Sequence, residues 1–529
     1  MSARNATIYL YIGVPFSSDL KHVVYYNSES ARNGDLESYL DNTLTHYSFI
    51  DFESGTIKLN FNIENIDIPA WNYMIVYNNF HHNYGTCCFV TGTKYISDNC
   101  VQLFFTVDPW QTYVTGGHIT FNTSFVERMH VSNDTIGAHT LAEPVPTGDP
   151  ICINRDKISL SSANQTEIIV VAPWVYDDTN QNITHHAATE SHYVSSINGV
   201  QRAYATGGVN YNSFPNNSNG YAALRRCFEA ASQVNQAMQQ IVSCYIAPIS
   251  DWWSATTSLG KNYNASLNGH TVRNNKLYTF PYYFLKYGNP ALGSAVNVRF
   301  ENFLGGTCDF QCFSFGDIGG CNTMYPKNYE NTYEVILNLG VNSPPYPVIP
   351  TCTDGYKSWV ANNLIGSVTR GINTIATGAQ IGASAGGVGA AVGALAGLGV
   401  AAVDAGFNIP REIAAGYEVS GGNGASMLAA WLTGGYDFYF DYMTLKRDAL
   451  EAIDNFFDVY GYNVSCWYPI VMRRRNTHTF YKTKDLNISW GGNVPSSSAM
   501  AIKSAFNAGI TIWTSLSTYG NYNLSNEPV

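Results

Sequence analysis

The sequence predicts a mainly β protein with some α structure, in which antiparallel sheets carry a few packed helices and one long apolar loop. Charged residues make up only 13% of the 529 residues, about half of the usual share. Asn, Ser, Thr, Gly and 37 Tyr take their place, and this mixture favours strands and turns over exposed helices. At about 150 residues per domain, the length predicts three or four domains.

The strands are predicted from alternating apolar and polar residues. In TIKLNFNI, Ile57 and Leu59 point to one face while Lys58 and Asn60 point to the other, as a half-buried antiparallel strand requires. Similar strands are predicted at TIYLYI, VQLFFTV, SFVERMHV, EIIVVAPWV, LYTFPYYFLKY, YEVILNL and YDFYFDY.

Three helices are predicted from apolar residues at helical spacing. The first covers residues 221–245 and is closed by Pro248, and the second covers residues 444–460. The third begins after Pro495 with a serine-rich start and runs to Gly509. We expect all three to pack on sheets.

Charge and cysteine content exclude several classes of protein. A net charge of −11 argues against wrapping duplex DNA, which needs clustered Lys and Arg. The main basic group, RRR at 473–475, is interpreted as a solvated strand end or a subunit contact. The eleven Cys form no dense pattern, and the tightest group, Cys308, Cys312 and Cys321, is predicted to be buried free thiols rather than a zinc site. We predict no cofactor and no metal.

One uncharged Gly/Ala-rich stretch lies between Arg370 and Asp404. It has neither the Lys of a phosphate-binding loop nor the glycine spacing of a dinucleotide fold. Three interpretations remain, namely a membrane anchor, a buried helical hairpin of small residues and a conditional membrane inserter. The residues that would drive insertion are Ile375, Ile381, Val388, Val392, Leu395, Leu398, Val400 and Val403.

Length decides against a stable anchor. Gly386 and Gly387 divide the stretch into two limbs of about 15 residues, each at most ~22 Å long as a helix, whereas a hydrocarbon core is ~30 Å thick. Insertion is therefore marginal for one copy and becomes firm when many copies act on one ring. The stretch fits best in an oligomer.

Motifs at both ends of the chain resemble a known family. They are VPFSSDLKH (14–22), FTVDPWQTY (105–113), SFVERMHV (124–131), FFDVYGYNV (456–464), RRRNTHTFYKTKDLNI (473–488) and AIKSAFNAGITIW (501–513). In this order and spacing they resemble the tail knob, or distal tail tube, proteins of short-tailed bacteriophages that infect Gram-positive bacteria.

The resemblance implies a structural protein of the virion rather than an enzyme. It implies six subunits that form a β-walled tube with other phage tail proteins, apolar loops that plug its distal end, and release of those loops to perforate the host cell membrane. Duplex DNA would then pass through the lumen without specific binding. The protein would be made in the host cytoplasm, in agreement with an N-terminus that does not have the form of a signal peptide.

The domain division combines this resemblance with composition. We predict an N-terminal tube-wall β domain at 1–145, a middle β-rich wall or knob region with one helix at 146–345, a helix and the apolar loop at 346–430, and C-terminal strands and helices that close the wall at 431–529. The sharpest expected boundary is the proline-rich SPPYPVIP, at residues 343–350.

Two other functions compete with this interpretation. A receptor-binding tail adsorption protein without membrane activity is supported by the Tyr- and Asn-rich composition, which suits carbohydrate stacking. A cell-wall hydrolase would use Asp177 and Asp178 beside His185 and His186, but adjacent residues on a strand point to opposite faces. A polar loop is therefore expected there.

Two acidic residues, Asp404 and Glu412, lie near the C-terminal end of the apolar stretch. A carboxylate near lipid is costly unless it is protonated. We therefore predict that these two residues sense pH and that mild acid favours insertion.

Overall fold

A computed structural model describes most of the chain outside the apolar stretch, namely residues 6–47, 52, 54–60, 69–78, 82–158, 167–184, 194–197, 200–203, 210–215, 218–234, 236–241, 243–247, 255–290, 293–314, 322–330, 339–343 and 437–529. The chain divides into two compact units. Unit 1 comprises Met1–Pro146, His270–Leu277 and Asp448–Val529, and unit 2 comprises Thr147–Gly269 and Tyr278–Arg447.

Among the described residues, the first part of unit 1 contains nine strands and one short α-helix. The strands are β1 (Ala6–Ile12), β2 (His22–Val24), β3 (Leu40–Tyr47), β4 (Thr56–Asn60), β5 (Trp71–Asn78), β6 (His82–Ser97), β7 (Cys100–Val107), β8 (Ile119–Phe121) and β9 (Ser124–Met129). Helix α1 (Glu29–Leu36) begins at Ser28, whose hydroxyl accepts a hydrogen bond from the Ala31 amide at 3.2 Å.

Six of these strands form one antiparallel sheet in the order β3-β1-β5-β6-β7-β4. Both of its faces are covered near the middle, since Ile8 and Leu10 of β1 join one apolar cluster and Tyr11 joins another. The alternation predicted in β4 is confirmed, because Ile57 and Leu59 are buried. Strands β3 and β4 are the edges of the sheet.

Unit 2 contains most of the remaining strands. They are β10 (Ile151–Ile158), β11 (Glu167–Ala172), β12 (Val175–Asp177), β13 (Asn182–Thr184), β14 (Val194–Ile197), β15 (Val200–Ala203), β16 (Asn210–Pro215), β17 (Ser243–Ala247), β18 (Ala255–Gly260), β19 (Ser266–Leu267), β20 (His270–Thr271, in the unit 1 segment), β21 (Tyr283–Asn289), β22 (Ser294–Val298), β23 (Thr307–Ser314), β24 (Asn322–Pro326), β25 (Val341–Asn342) and β26 (Phe438–Thr444).

The larger sheets of unit 2 are antiparallel. Two have four strands, in the orders β10-β26-β21-β22 and β18-β23-β24-β25, and one has three, in the order β16-β11-β17. Strands β12 with β13 and β14 with β15 form hairpins.

The helix predicted at residues 221–245 is too long at its C-terminal end. Helix α2 (Ser218–Gln233) is followed by Gln236 in the left-handed region, with φ of 66°, which ends regular helix. The chain then enters β17, where Cys244 pairs with Val170 of β11. Sheet pairing has overridden the helical spacing of the apolar residues.

The chain returns to unit 1 for four strands and two helices. These are α3 (Arg447–Tyr460), β27 (Tyr462–Tyr468), β28 (His478–Asp485), β29 (Ile488–Trp490), α4 (Ser496–Ala508) and β30 (Ile510–Trp513). They complete a five-stranded sheet in the order β2-β30-β28-β9-β27 and a smaller pair, β29 with β8. Only β2 with β30 runs parallel in the five-stranded sheet.

The other two predicted helices are confirmed with small shifts. Helix α3 begins three residues later than predicted because Thr444 still belongs to β26. Helix α4 follows Pro495, and Gly509 with φ of 113° ends it.

The predicted fold class is confirmed, since several antiparallel sheets dominate and helices are few among the described residues. The predicted strand YEVILNL lies largely outside those residues. The fourfold domain division stays a prediction, because most of its third range, 346–430, also lies outside them.

Candidate functional site

Two segments of unit 2 flank the range that carries the apolar stretch. They are residues 339–343, which include β25, and residues 437–444, which include β26. Strand β21 contacts both of them. We call these two segments and β21 the loop base, because the range between them, 344–436, begins and ends there.

Strand β26 is held in the middle of its sheet. It pairs with β10 on one side and β21 on the other, and its sequence FYFDYMT alternates so that Phe438, Phe440 and Tyr442 are all buried. Asp437, the first described residue after that range, is therefore followed directly by a strand that is paired on both sides.

Two side chains of β21 bind the described segments that flank that range. The Asn289 side-chain amide donates to the carbonyl oxygen of Asp437 at 3.1 Å, and the Tyr287 hydroxyl donates to the carbonyl oxygen of Leu339. Tyr287 and Asn289 are both fully buried and lie two positions apart. Burial raises the pKa of Tyr287 well above its usual value, so its hydroxyl remains a donor.

An aromatic cluster packs beneath these contacts. The rings of Tyr287, Phe310 and Phe440 lie within 6 Å of one another, with centroid distances of 4.9, 5.9 and 4.8 Å. Phe303 extends the cluster at 5.5 Å from Phe310. Each such ring pair contributes about 0.5–1.5 kcal/mol beyond the area that it buries, so the loop base is a rigid part of unit 2.

The N-terminal end of the range is tied down by close backbone contacts. A Cβ atom at Gly340 would lie 2.5 Å from the Tyr325 ring, so only glycine fits there. Beyond β25, the Ser343 amide donates to the Asn322 carbonyl at 2.7 Å, and the Asn322 amide donates to the Ser343 hydroxyl at 2.9 Å.

Charged pairs lie on the other side of β26. Arg155 of β10 makes two contacts with the carboxylate of Asp441, at 2.5 and 2.9 Å, and the two residues are directly opposite in the strand register. Lys157 lies 3.6 Å from the carboxylate of Asp437. These are cross-strand pairs that fix register, and the arrangement of the loop base is that of a structural anchor.

The residues predicted to act on membranes lie outside the described residues. This holds for Ile375, Ile381, Val388, Val392, Leu395, Leu398, Val400 and Val403, and for the two proposed pH-sensing residues, Asp404 and Glu412. Among the described ranges, no helix combines the length and the apolar character needed to cross a bilayer.

The two carboxylates considered for a hydrolase have local structural contacts. Asp177 accepts hydrogen bonds from the amides of Thr179 and Asn180, at 2.9 and 3.2 Å, in the turn between β12 and β13. Asp178 forms a two-pronged ion pair with Arg226, at 2.7 and 3.0 Å. Hydrogen bonds from Asn180 and from Arg226 lower the pKa of Asp177 and of Asp178, respectively. His185 and His186 lie outside the described residues.

Other candidate groups were the cysteines and the arginine run. Cys308 and Cys312 are buried free thiols, Cys321 is not described, and no group of three potential metal ligands occurs in the described part. The expectation that RRR is a solvated strand end is wrong for two of its members. Arg474 and Arg475 are buried, and Arg474 donates to the Tyr481 hydroxyl at 2.6 Å.

The loop-base contacts were not foreseen from the sequence. Periodicity identified β21 and β26 as strands, but it carries no information on which strands pair when they are far apart in the chain. Gly340, directly after the predicted strand YEVILNL, was the one local signal of a close approach.

Comparison with known proteins gives the family. A family model described as the C-terminal domain of the tail knob protein gp9 of Bacillus phage phi29 matches residues 248–527, just over half of the chain. The chain belongs to this tail knob family. A second model, described as the N-terminus of the caudoviral major tail protein, matches residues 4–118, which contain the six-stranded sheet.

Individual tail knob relatives extend over the whole chain. The tail knob protein gp9 of Bacillus phage B103 is 21% identical over 98% of both chains. A shorter match, 31% identical, covers 16% of this chain and 13% of tail knob protein gp9 of Bacillus phage PZA. The solved tail knob protein gp12 of bacteriophage C1 has a TM-score of 0.57 at 13% identity and covers 99% of this chain and 100% of that one; at this identity the likeness is one of fold.

These findings assign the chain to the virion tail, as a structural tail knob protein. The family resemblance stated from the sequence motifs is therefore confirmed. As a tail protein it assembles with other tail proteins.

Proposed function

We propose that this tail knob chain forms the wall of a DNA exit channel, that its apolar loop plugs the channel, and that the loop then perforates the host cell membrane during genome ejection. The observation that carries the proposal is the loop base. Leu339 and Asp437, which lie on either side of residues 344–436, are bound by the side chains of Tyr287 and Asn289 of β21. A segment anchored in this way can leave a lumen and enter a bilayer while the strands of the wall keep their pairing.

The composition of the segment supports the membrane step. Ala and Gly lower the hydrophobic drive, so the loop stays soluble in the assembled tail, while the eight larger apolar residues from Ile375 to Val403 supply the drive for insertion. Several loops acting together would add their marginal contributions.

Deletion of the loop tests this proposal. Residues 371–403 are replaced by a short polar linker, and dye release from liposomes is measured for the parent and the variant. We expect the variant to fold and assemble but to release no dye.

A matched control replaces the same residues with an equally long Gly/Ser segment, which separates loss of apolar character from loss of length. Undiminished dye release by both variants would exclude the loop as the membrane-active part, and binding to host cells without leakage would favour the receptor-binding alternative.

The tube itself is proposed to be a closed ring, with six subunits as the family resemblance implies. The six-stranded sheet of unit 1 ends in β3 on one side and β4 on the other, and closure by neighbouring copies is one way to cover such edges. Electron microscopy of the purified protein and of virions should show rings with a lumen wide enough for duplex DNA. A stable monomer at high concentration, together with virions that lack rings, would contradict this.

The lumen is proposed to be neutral or acidic, so that DNA passes without specific binding. The net charge of −11 supports this, and the burial of Arg474 and Arg475 removes two cations from the accessible surface. Labelled duplex DNA should show no binding to assembled rings at physiological salt. Tight, salt-sensitive binding would show a basic lining instead.

The trigger for insertion is proposed to be protonation of Asp404 and Glu412. Liposome leakage should increase as the pH falls, and the Asp404→Asn, Glu412→Gln double variant should leak equally across that range. An unchanged acid dependence in the double variant would remove these residues from the mechanism without affecting the loop proposal.

A further inference from the structure

The last residues of unit 1 form a strap that is held mainly by hydrogen bonds. We define the C-terminal strap as residues 522–529, which lie along residues 474–478. The Val529 amide donates to the Arg474 carbonyl at 3.0 Å, and the Asn476 amide donates to the Glu527 carbonyl at 3.0 Å. Most strap residues are exposed, so few apolar contacts oppose its release.

Asn526 makes the densest set of these contacts. Its side-chain oxygen accepts from the amides of Thr477 and His478 at 3.2 and 3.1 Å. Its side-chain nitrogen donates to the His478 carbonyl at 3.0 Å, and its own carbonyl accepts from Arg475 at 3.0 Å. The strap is thus anchored around His478.

His478 and His130 form a buried pair beneath the strap. Their rings are 5.1 Å apart, and both residues are at most 2% exposed. The Nε2 atom of each lies 2.9 Å from the Asp458 carbonyl oxygen, which can accept two hydrogen bonds.

The contacts fix His130 in the neutral form and supply no acceptor for a proton on Nδ1 of His478. The Phe480 amide donates to His130 Nδ1 at 2.8 Å, so this nitrogen carries no proton and Nε2 donates to Asp458. His478 Nδ1 is buried without a hydrogen-bond partner, and its Nε2 likewise donates to Asp458. Burial lowers the pKa of His478 to about 4 and that of His130 well below its usual value.

The charged groups around the pair disfavour protonation. Arg475 faces both histidines, and His22 faces His478 from β2. Two carboxylates interact with Arg475, but each already has other donors. Asp134 accepts from Tyr462 and from the Asn275 amide, at 2.6 and 3.1 Å.

The second carboxylate, that of Asp458, accepts from Asn274 at 2.6 Å and pairs with Arg273 at 3.0 Å. His139 is a further titratable group that faces Arg475 and Asp134. Both carboxylates are therefore already bound by other donors.

The strap separates His478 from solvent. The His478 ring lies 4.7 Å from the ring of Trp513 and 5.0 Å from the ring of Tyr522, which belongs to the strap. The Asn526 amide nitrogen lies 3.3 Å from His478 Nε2. A proton on Nδ1 has no acceptor in this enclosure, so a charged His478 reaches water only when Tyr522 and Asn526 move away.

We propose that acid releases the C-terminal strap from unit 1 through protonation of the His130–His478 pair. Attachment requires neutral rings, whereas the rings of the released form titrate near the ordinary histidine pKa of about 6.5. Attachment is therefore complete above that pH and is lost as the pH falls from about 6.5 towards 4.

Hydrogen exchange of the full chain, followed by mass spectrometry from pH 7.5 to 4.5 and corrected for the intrinsic rate, tests the proposal. Free titration of one histidine shifts the strap equilibrium by about 30-fold between pH 7.5 and 5. We expect peptides from residues 522–529 to lose protection by at least this factor while peptides from β9 stay protected.

The His130→Gln, His478→Gln double variant removes the charge and keeps one donor and one acceptor at each site. It should show strap exchange that no longer depends on pH. His118→Gln, a change in the same unit outside the pair, is the matched control and should behave as the parent. If the double variant is unfolded at pH 7.5, the single His478→Gln variant should show a reduced pH dependence.

Three results would each overturn the proposal. They are strap protection in the parent that is unchanged down to pH 4.5, simultaneous loss of protection in the strap and β9, and a parent-like pH dependence in a folded glutamine variant.

Discussion

In unit 1 the side chains that join distant parts of the chain are often charged, whereas in unit 2 they are mostly aromatic rings. The side chain of Glu143 in unit 1 is fully buried between those of Arg128 and Lys276, which come from β9 and from the 270–277 segment. In unit 2 the corresponding connections are ring contacts such as Phe310 with Phe440, at 4.8 Å.

The same contrast recurs around Asp454 of α3. This buried carboxylate accepts hydrogen bonds from His270 at 2.7 Å and from the amides of Arg273 and Asn274 at 3.0 and 3.1 Å. Loss of one partner from a buried charge pair is costly because it leaves the other charge unpaired, whereas a packed phenylalanine ring carries no group that titrates. We therefore expect the buried charge clusters of unit 1 to respond to pH more strongly than the aromatic cluster of unit 2.

The largest expected effect is loss of the buried carboxylate in unit 1. Glu143→Ala leaves Arg128 and Lys276 without their shared partner, and we expect a loss of about 3–5 kcal/mol in the free energy of unfolding of unit 1. Burial lowers the pKa of Lys276, so the loss should shrink at alkaline pH as Lys276 becomes neutral. Urea denaturation at pH 7 and 10 measures both quantities.

The control is Glu127→Ala, in the exposed pair with Lys482, which should cost less than about 1 kcal/mol. Equal costs would contradict the comparison.

A somewhat smaller effect is expected in the aromatic cluster of unit 2. Phe440→Ala removes a fully buried ring and should cost about 3 kcal/mol, with the same value at pH 5, 7 and 9. Hydrogen exchange of β21 and β10 reports the change. Tyr439→Ala, on the opposite side of β26, is the control and should cost less. A strong pH dependence of the Phe440 variant would break the distinction between the units.

The smallest of the three effects is the pH-dependent contribution of Asp108 to the stability of unit 1. Asp108 accepts from the Tyr73 hydroxyl and from the Trp110 amide, both at 2.9 Å, and burial raises its pKa to about 6. A raised carboxyl pKa means that folding favours the protonated form, so this contribution to stability is present at low pH and is lost as the pH rises from about 4 to 6. Over roughly two pH units the change is about 2–3 kcal/mol.

Asp108→Asn should remove this slope in urea midpoints measured from pH 4 to 7. Asp98→Asn, on the exposed end of the same sheet, should retain it. The pH dependence of stability expected from Asp108 has the opposite sign to that expected from His478. A variant that removes one of these two pH dependences should therefore leave the other measurable. A parent whose unit 1 stability does not change over this range would show that the buried groups are compensated by others.

The sequence predicted local structure well and long-range contacts poorly. The patterns TIKLNFNI and YDFYFDY located β4 and β26, whose apolar side chains Ile57, Leu59, Phe438 and Phe440 are buried. The helix at 221–245 was extended too far because Val234, Met238 and Ile241 continue the helical spacing beyond the end of α2 at Gln233. The pairing of β17 with β11, which ends the helical region, follows only from the tertiary fold. Arg474 and Arg475 were expected in solvent because their acceptors are not recognisable in the sequence. Arg474 donates to the Tyr481 hydroxyl and the Pro469 carbonyl, and Arg475 donates to the Asn526 carbonyl, 51 residues away.

In the candidate site, too, local features were predicted from the sequence and long-range contacts were not. Composition alone singled out the apolar stretch, but the loop base rests on Tyr287 and Asn289, whose partners follow only from the tertiary fold. The family was readable from motifs because these lie in unit 1, where strands from both ends of the chain share one sheet.

The parallel pairing of β2 with β30, which sets His22 opposite Thr511, has a consequence for synthesis. At 5–20 residues per second, a ribosome needs about 25–100 s to make the chain between these two strands. The five-stranded sheet therefore has to be completed after translation, while unit 2 emerges and is free to fold in the interval. During that time β2 lacks the strand with which it pairs, and an unpaired strand edge favours pairing with other chains.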